Sequence, residues 1–149
     1  MNTLKYLEKS IWTSSEKSIS LSLLILRIGI SFSMFYLHGY PRIINFSEIS
    51  SEFADPLGIS PATSLSLVLF AEFFCSLFLI IGLFTRWSCI PLIITMIVAT
   101  WVINGGKGFI YQEKSFIYFI SYISLLISGG GYYSLDYQLF GRRMQINSK

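Results

Sequence analysis

The chain has 149 residues and a net charge of +3, with 53% hydrophobic and only 13% charged residues, and its mean hydropathy is +0.61. Soluble domains carry about 25% charged residues, so the charge needed to coat a water-facing surface is missing. That excludes a soluble enzyme, a disordered chain and a nucleic-acid binder. At about 20 apolar residues per helical crossing, the length suits one all-α membrane protein, a four-transmembrane-helix antiparallel bundle.

Residues 1–17 form a polar lead-in. Leu4, Leu7 and Ile11 fall at helical spacing beside Lys5 and Lys9, the pattern of an interfacial helix. The first span covers about 18–38 and is interrupted by one charge, Arg27. It is too long and too far along the chain for a cleaved leader, and His38-Gly39-Tyr40-Pro41-Arg42 follows it instead of a small-residue cleavage site. It is therefore read as retained. In the outer loop, Asn45 and Glu48 have capping-box spacing, Ile49 and Phe53 share a face, and Asp55-Pro56 ends the pattern. This predicts a short interfacial helix on the outer membrane surface.

The second span covers about 62–84. Ser60 suits its cap, Pro61 its first helical position, and Glu72 is its one interior charge. Gly82-Leu83-Phe84-Thr85-Arg86 allows only a tight turn, so the third span, about 87–104, returns antiparallel to the second. The fourth span, about 113–130, ends at Gly129-Gly130-Gly131. Its uncharged stretch of about 14 residues reaches only about 21 Å of a hydrocarbon core about 30 Å thick. Ser121, Ser124 and Ser128 make a stripe on it that is expected to face another helix or the polar interior. Residues 134–149 form a basic tail. With the N-terminus inside, Lys5, Lys9, Lys17, Arg86, Arg142, Arg143 and Lys149 lie on the inner side, against Arg42, Lys107 and Lys114 outside. That bias predicts a multi-pass protein with both termini cytoplasmic.

Arg27 lies about nine residues, roughly 14 Å, from the inner start of span one, and Glu72 about twelve residues, roughly 18 Å, from the inner end of span two. A lone charge at mid-membrane costs at least about 2.5–3.5 kcal/mol. Opposite charges at matching depth should therefore pair, and Arg27 with Glu72 is the candidate intramembrane polar site. It serves a proton, a quinone headgroup or a small polar substrate, or it simply sets helix register. A candidate outer-face polar site gathers His38, Asn104 and Glu113, with Lys107 and Tyr111 as hydrated loop residues. One histidine gives no His-rich metal site and no haem pair, so no metal is assigned. Cys75 and Cys89 are placed about 10 Å apart in depth, too far for a disulfide, and none is assigned.

Leu26-Arg27-Ile28-Gly29 followed by His38-Gly39-Tyr40-Pro41-Arg42 resembles the start of DoxX-like membrane proteins. Phe70-Ala71-Glu72-Phe73 leading to Gly82-Leu83-Phe84-Thr85-Arg86, then Gly108-Phe109 with Glu113, and Gly129-Gly130-Gly131-Tyr132-Tyr133-Ser134-Leu135-Asp136 continue the likeness over about residues 24–142. The resemblance implies a four-helix protein of the bacterial cytoplasmic membrane, loosely associated with quinone-linked systems such as thiosulfate:quinone oxidoreductase or terminal quinol oxidase subunits. Asn104 stands where that family often has a histidine, and asparagine does not titrate near neutrality. The chain supplies no redox centre of its own, so a quinone or a redox partner subunit must carry any electrons.

Three functions follow as expectations. The first is a quinone-linked oxidoreductase subunit using Arg27, Glu72, His38 and Glu113. The second is a non-catalytic scaffold or accessory subunit of a larger complex. The last is a small transporter, which four helices could support only as a homo-oligomer.

Overall fold

The computed structural model describes residues 15–141. All regular elements are helical, and there is no strand among the described residues. Three helices are long and apolar enough to cross a membrane: α1 (Glu16–Ile44), α3 (Pro61–Ile81) and α4 (Thr85–Ile103). The short α2 (Phe46–Ile49) lies in the first loop, and α5 (Phe109–Ser128) is the fourth long rod. The polar lead-in falls outside the described residues up to residue 14, and the tail does so from 142.

Local signals open α1 and bound α3 at both ends. Ser15 accepts from the Ser18 amide to open α1. Ser60 accepts from the Thr63 amide and Pro61 takes the first helical position of α3, as its sequence predicts. Gly82, at φ 73°, closes α3 in the left-handed region that a glycine tolerates. The helix starting at Thr85 is capped across the chain: the Asp136 carboxylate accepts from the amides of Phe84 (2.7 Å) and Thr85 (2.8 Å). A negative charge at that end also complements the helix dipole.

The first helix runs further than its composition suggests. The polar run from His38 to Arg42 was expected to end the span near 38, yet α1 continues to Ile44. A proline inside an α-helix loses one backbone bond and clashes with the preceding turn. Here the turn before Pro41 widens into a π-helix, Phe35–Gly39, in which the Tyr40 amide reaches Phe35 O. That wider turn lets the helix pass the ring. Two further π-helical stretches interrupt α3 (Phe70–Cys75) and α4 (Val98–Ile103).

The first loop also differs from expectation. Its helix is four residues long, and the Asn45 side chain makes no capping bond. Asp55 does the tying instead, accepting from the Ile59 and Ser60 amides and from the Ser64 hydroxyl. Four hydrogen-bond donors, Gly58 included, hold the Asp55 carboxyl below the usual aspartate range, the Ser64 hydroxyl most strongly.

The long helices pack around a core of Met34, Ala71, Cys75, Leu79, Cys89, Leu92, Met96, Tyr122 and Leu125. Large apolar side chains such as Ile25, Phe32, Leu67, Ile94 and Ile127 are exposed on the outside. That inside-out pattern suits lipid contact. The serine stripe of α5 does not face a neighbour as expected. Ser121, Ser124 and Ser128 each donate to a carbonyl one turn back on their own helix, and Ser124 and Ser128 are exposed.

Candidate functional site

Two close approaches set the register of α1 against α3. A Cβ on Gly82 would lie 2.6 Å from Arg27 Nη1, and a Cβ on Gly39 would lie 2.7 Å from the Glu72 carbonyl oxygen. Arg27 therefore sits level with the inner end of α3, while Gly39 sits level with Glu72. Positions 27 and 39 are about 18 Å apart along the helix. The expected Arg27–Glu72 pair is thus not formed. The expectation counted depth from the start of span one, but α1 protrudes beyond the inner end of α3 by more than two turns.

Arg27 satisfies itself elsewhere. It is 1% exposed and donates from Nη1 to Gly130 O (2.7 Å) and from Nη2 to Tyr133 O (3.0 Å). The segment after α5 wraps back along α1 to meet it, with the Tyr132 amide on Ser20 Oγ (3.3 Å) and the Tyr132 hydroxyl on Glu16. Arg27 is a fastener for the inner end of the bundle.

Glu72 finds its cation on the same helix that carries Arg27, further out. Its side chain is 4% exposed and forms an ion pair with Arg42. The local sequence explains the contact. Arg42 follows Gly39 by three residues, so both lie on the face of α1 turned to α3. Helical side chains lean toward the N-terminus of their helix, which aims the Arg42 guanidinium inward, to the level where Gly39 touches Glu72. The guanidinium also lies 5.9 Å from the ring centroid of Phe53 in the first loop, a cation–π distance. Composition alone offered Arg42 only as a loop charge. The Gly39-x-x-Arg42 spacing was the signal that could have found it, once the helix is continued through Pro41.

The ion pair borders a cavity of about 410 Å³ between α3 and α4 that opens at the outer surface of the helices, where its wall residues Leu67 and Ile94 are themselves exposed. Leu67, Val68, Ile94 and Val98 supply apolar walls, Pro91 stands inside α4 beside it, and Phe53, Pro56 and Leu57 roof it. Glu72 lies in one π-helical stretch, and Val98, Ala99 and Ile103 of a second also line the space. π-Turns recur at functional sites because they turn side chains out of the regular ladder. A wider cleft of about 790 Å³ at the inner end, beside Arg86 and Gly130, is open and lined by neither member of the ion pair.

The residues of the expected outer-face cluster make their contacts elsewhere. His38 is half-buried in the π-turn of α1, with its ring edge-on to Tyr118 at 6.0 Å. Tyr118 in turn shares a 2.7 Å hydrogen bond with Ser33. Asn104 closes the end of α4: its side-chain amide donates to Ala99 O (2.8 Å) and its backbone carbonyl accepts from the Gln112 side chain (3.1 Å). Glu113 is exposed. No hydrogen bond, ion pair or ring contact among the described residues joins His38, Asn104 and Glu113. Lys107 is exposed in the loop, as expected, whereas Tyr111 is exposed in the first turn of α5 rather than in a loop. Cys75 and Cys89 are buried free thiols in the core. No cluster of three metal-ligating side chains occurs among the described residues.

Searches of curated proteins and of solved structures give no match. A family model described as DoxX matches residues 22–105, a stretch that holds Arg27, His38, Gly39, Arg42, Glu72 and Asn104. With more than half of its length accounted for in this way, and with helices suited to a bilayer, the chain belongs to the DoxX family of membrane proteins.

Proposed function

We propose that the protein is a four-span subunit of a quinone-linked membrane oxidoreductase, and that its quinone site is the apolar cavity bordered by Arg42 and Glu72. The observation that carries this reading is an ion pair between the buried Glu72 carboxylate and the partly exposed Arg42 guanidinium, on the wall of an otherwise apolar space. Such a space suits a ring with an isoprenoid tail, and a few convergent polar groups fix its orientation. A bound quinone would supply the two-electron, two-proton carrier that the chain lacks. Arg42 would donate a hydrogen bond to a carbonyl oxygen, and Glu72 would hold or accept a proton next to it. Phe53 and Leu57 would exclude water from the headgroup. Electrons would come from or go to a partner subunit.

In this reading α5 is the fourth span, with Glu113 and Lys114 at the outer surface. Both termini face the cytoplasm of a bacterial cell, as the Lys and Arg bias predicts.

A second reading, an accessory scaffold, is favoured by the engagement of both arginines within the protein itself. Arg27 is spent on two carbonyls and Arg42 on Glu72. The test is organic extraction of the protein purified in mild detergent from quinone-replete membranes. The oxidoreductase reading expects near-stoichiometric quinone, and Leu67→Trp, which fills the cavity, should remove it while the protein stays folded. Quinone-free wild type, together with no change in membrane quinone redox state on deletion, rejects it in favour of the scaffold.

A further inference from the structure

Three hydroxyls in the centre of the bundle complete no hydrogen bond among the described residues. Ser31 on α1, Ser76 on α3 and Tyr122 on α5 are each 0% exposed. None of their oxygens has a hydrogen-bond partner among the described residues. Their depths agree. Gly82 on Arg27 and Gly39 on Glu72 fix α1 against α3, while Ser33 on Tyr118 and Arg27 on Gly130 fix α1 against α5. These registers bring Ser31, Ser76 and Tyr122 to within about one turn, roughly 5.4 Å, of one level. The Tyr122 hydroxyl approaches Ser76 without completing a hydrogen bond.

Serines on apolar helices ordinarily satisfy themselves by bonding the carbonyl one turn back. Ser22, Ser66, Ser121, Ser124 and Ser128 all do so here. Ser31 and Ser76 do not; their hydroxyls are turned into the core instead. One turn inward of Ser31, the Arg27 Nε is also buried without a partner. Native interiors leave very few such groups unpaired. Several polar groups converging from three helices provide the two to four partners that one internal water requires.

We propose that Ser31, Ser76 and Tyr122 form a binding site for internal water in the bundle core, separate from the Arg42–Glu72 cavity. The water would join α1, α3 and α5 by hydrogen bonds that the side chains do not make directly. Cys75, 2% exposed, and Cys89, 0% exposed, lie in the same core and act as built-in reporters.

The test is millisecond hydroxyl-radical footprinting of the detergent-purified full chain, read by mass spectrometry. Radicals generated from bound water modify adjacent side chains that bulk solvent never reaches. Cys89 or Tyr122 should be labelled in folded protein despite full burial. The Ser31→Ala/Ser76→Ala double variant should lower that labelling about tenfold, the change in occupancy expected when two of three hydrogen bonds are removed. Tyr122→Phe should lower the melting temperature, because it removes a bonded hydroxyl. Unlabelled Cys75, Cys89 and Tyr122 at a dose that saturates exposed Tyr111 would overturn the proposal. A Tyr122→Phe protein that melts higher than wild type would overturn it too, since that is the response of a dry core relieved of an orphaned hydroxyl. If Tyr122→Phe does not fold, the wild-type labelling pattern decides alone.

Discussion

Breaking the Arg42–Glu72 pair should be asymmetric, and the asymmetry follows from the burial of each partner. The Glu72 side chain is 4% exposed and that of Arg42 is 27% exposed. Arg42→Leu strands a carboxylate that has no route to water, so it should incur the full cost of an uncompensated buried charge, about 3–5 kcal/mol. Glu72→Leu leaves a long guanidinium already more than a quarter exposed. That side chain can swing outward past Phe53, so the loss should be smaller, about 1–3 kcal/mol. The double leucine variant removes both charges, and buried pairs replaced by apolar residues are often neutral or more stable. It should therefore be within about 1 kcal/mol of wild type, and the cycle should show strong coupling. The assay is equilibrium unfolding in mixed micelles titrated with dodecyl sulfate. A parallel cycle on Arg27 and Glu72 should be additive to within about 0.5 kcal/mol, as expected of groups more than 10 Å apart. Additive Arg42 and Glu72 losses, or strong coupling of Glu72 to Arg27, would refute the geometry.

Three further outcomes are expected. Gly39→Ala drives a Cβ into the backbone of Glu72 and Phe73 and should cost about 1–3 kcal/mol by overpacking, whereas Gly29→Ala meets nothing within 4 Å and should be neutral or gain up to about 1 kcal/mol of helix propensity; the same micelle titration reads both. Arg27→Lys loses the two-carbonyl fork on Gly130 and Tyr133 and should cost about 1–3 kcal/mol, seen as faster proteolysis beyond Gly129. The Asp55 carboxyl is held below its ordinary value by Ser64, Ser60, Ile59 and Gly58. Its stabilisation of the first loop is therefore fully present above the ordinary aspartate range and lost as pH falls through the lowered value. Amide exchange at Ile59 and Ser60 should accelerate there, and Asp55→Asn should flatten that dependence.

The helices were legible because their signals are local. Hydropathy and the Ser60-Pro61 start placed α3 to within a residue at its beginning, and the Gly82 turn placed its junction with α4. The ion pairs were not legible, because they depend on register between helices, and register is set by contacts remote in sequence. Arg27 was correctly marked as a charge needing a partner. Its partners, however, are two backbone carbonyls more than a hundred positions away, which no side-chain inventory can list. Glu72 is marked by its sequence too, but its cation, Arg42, counts there only as a charge on the outer side. The π-turn that lets α1 pass Pro41 carries no composition of its own. Asp136 capping α4 was invisible for the same reason: a cap normally precedes its helix, and this one arrives from beyond α5.

The fastening of Arg27 also orders events during synthesis. Its acceptor at Gly130 is 103 positions later in the chain. At about 5–20 residues per second, the ribosome needs roughly 5–20 s to make that stretch. For this interval the first helix holds a cation whose permanent ligands do not yet exist. The nascent helix must keep Arg27 near the headgroups, where water or lipid phosphate can solvate it, and seat fully only when the end of the chain emerges. A polypeptide truncated before Gly130 would leave that cation without either of its carbonyl ligands.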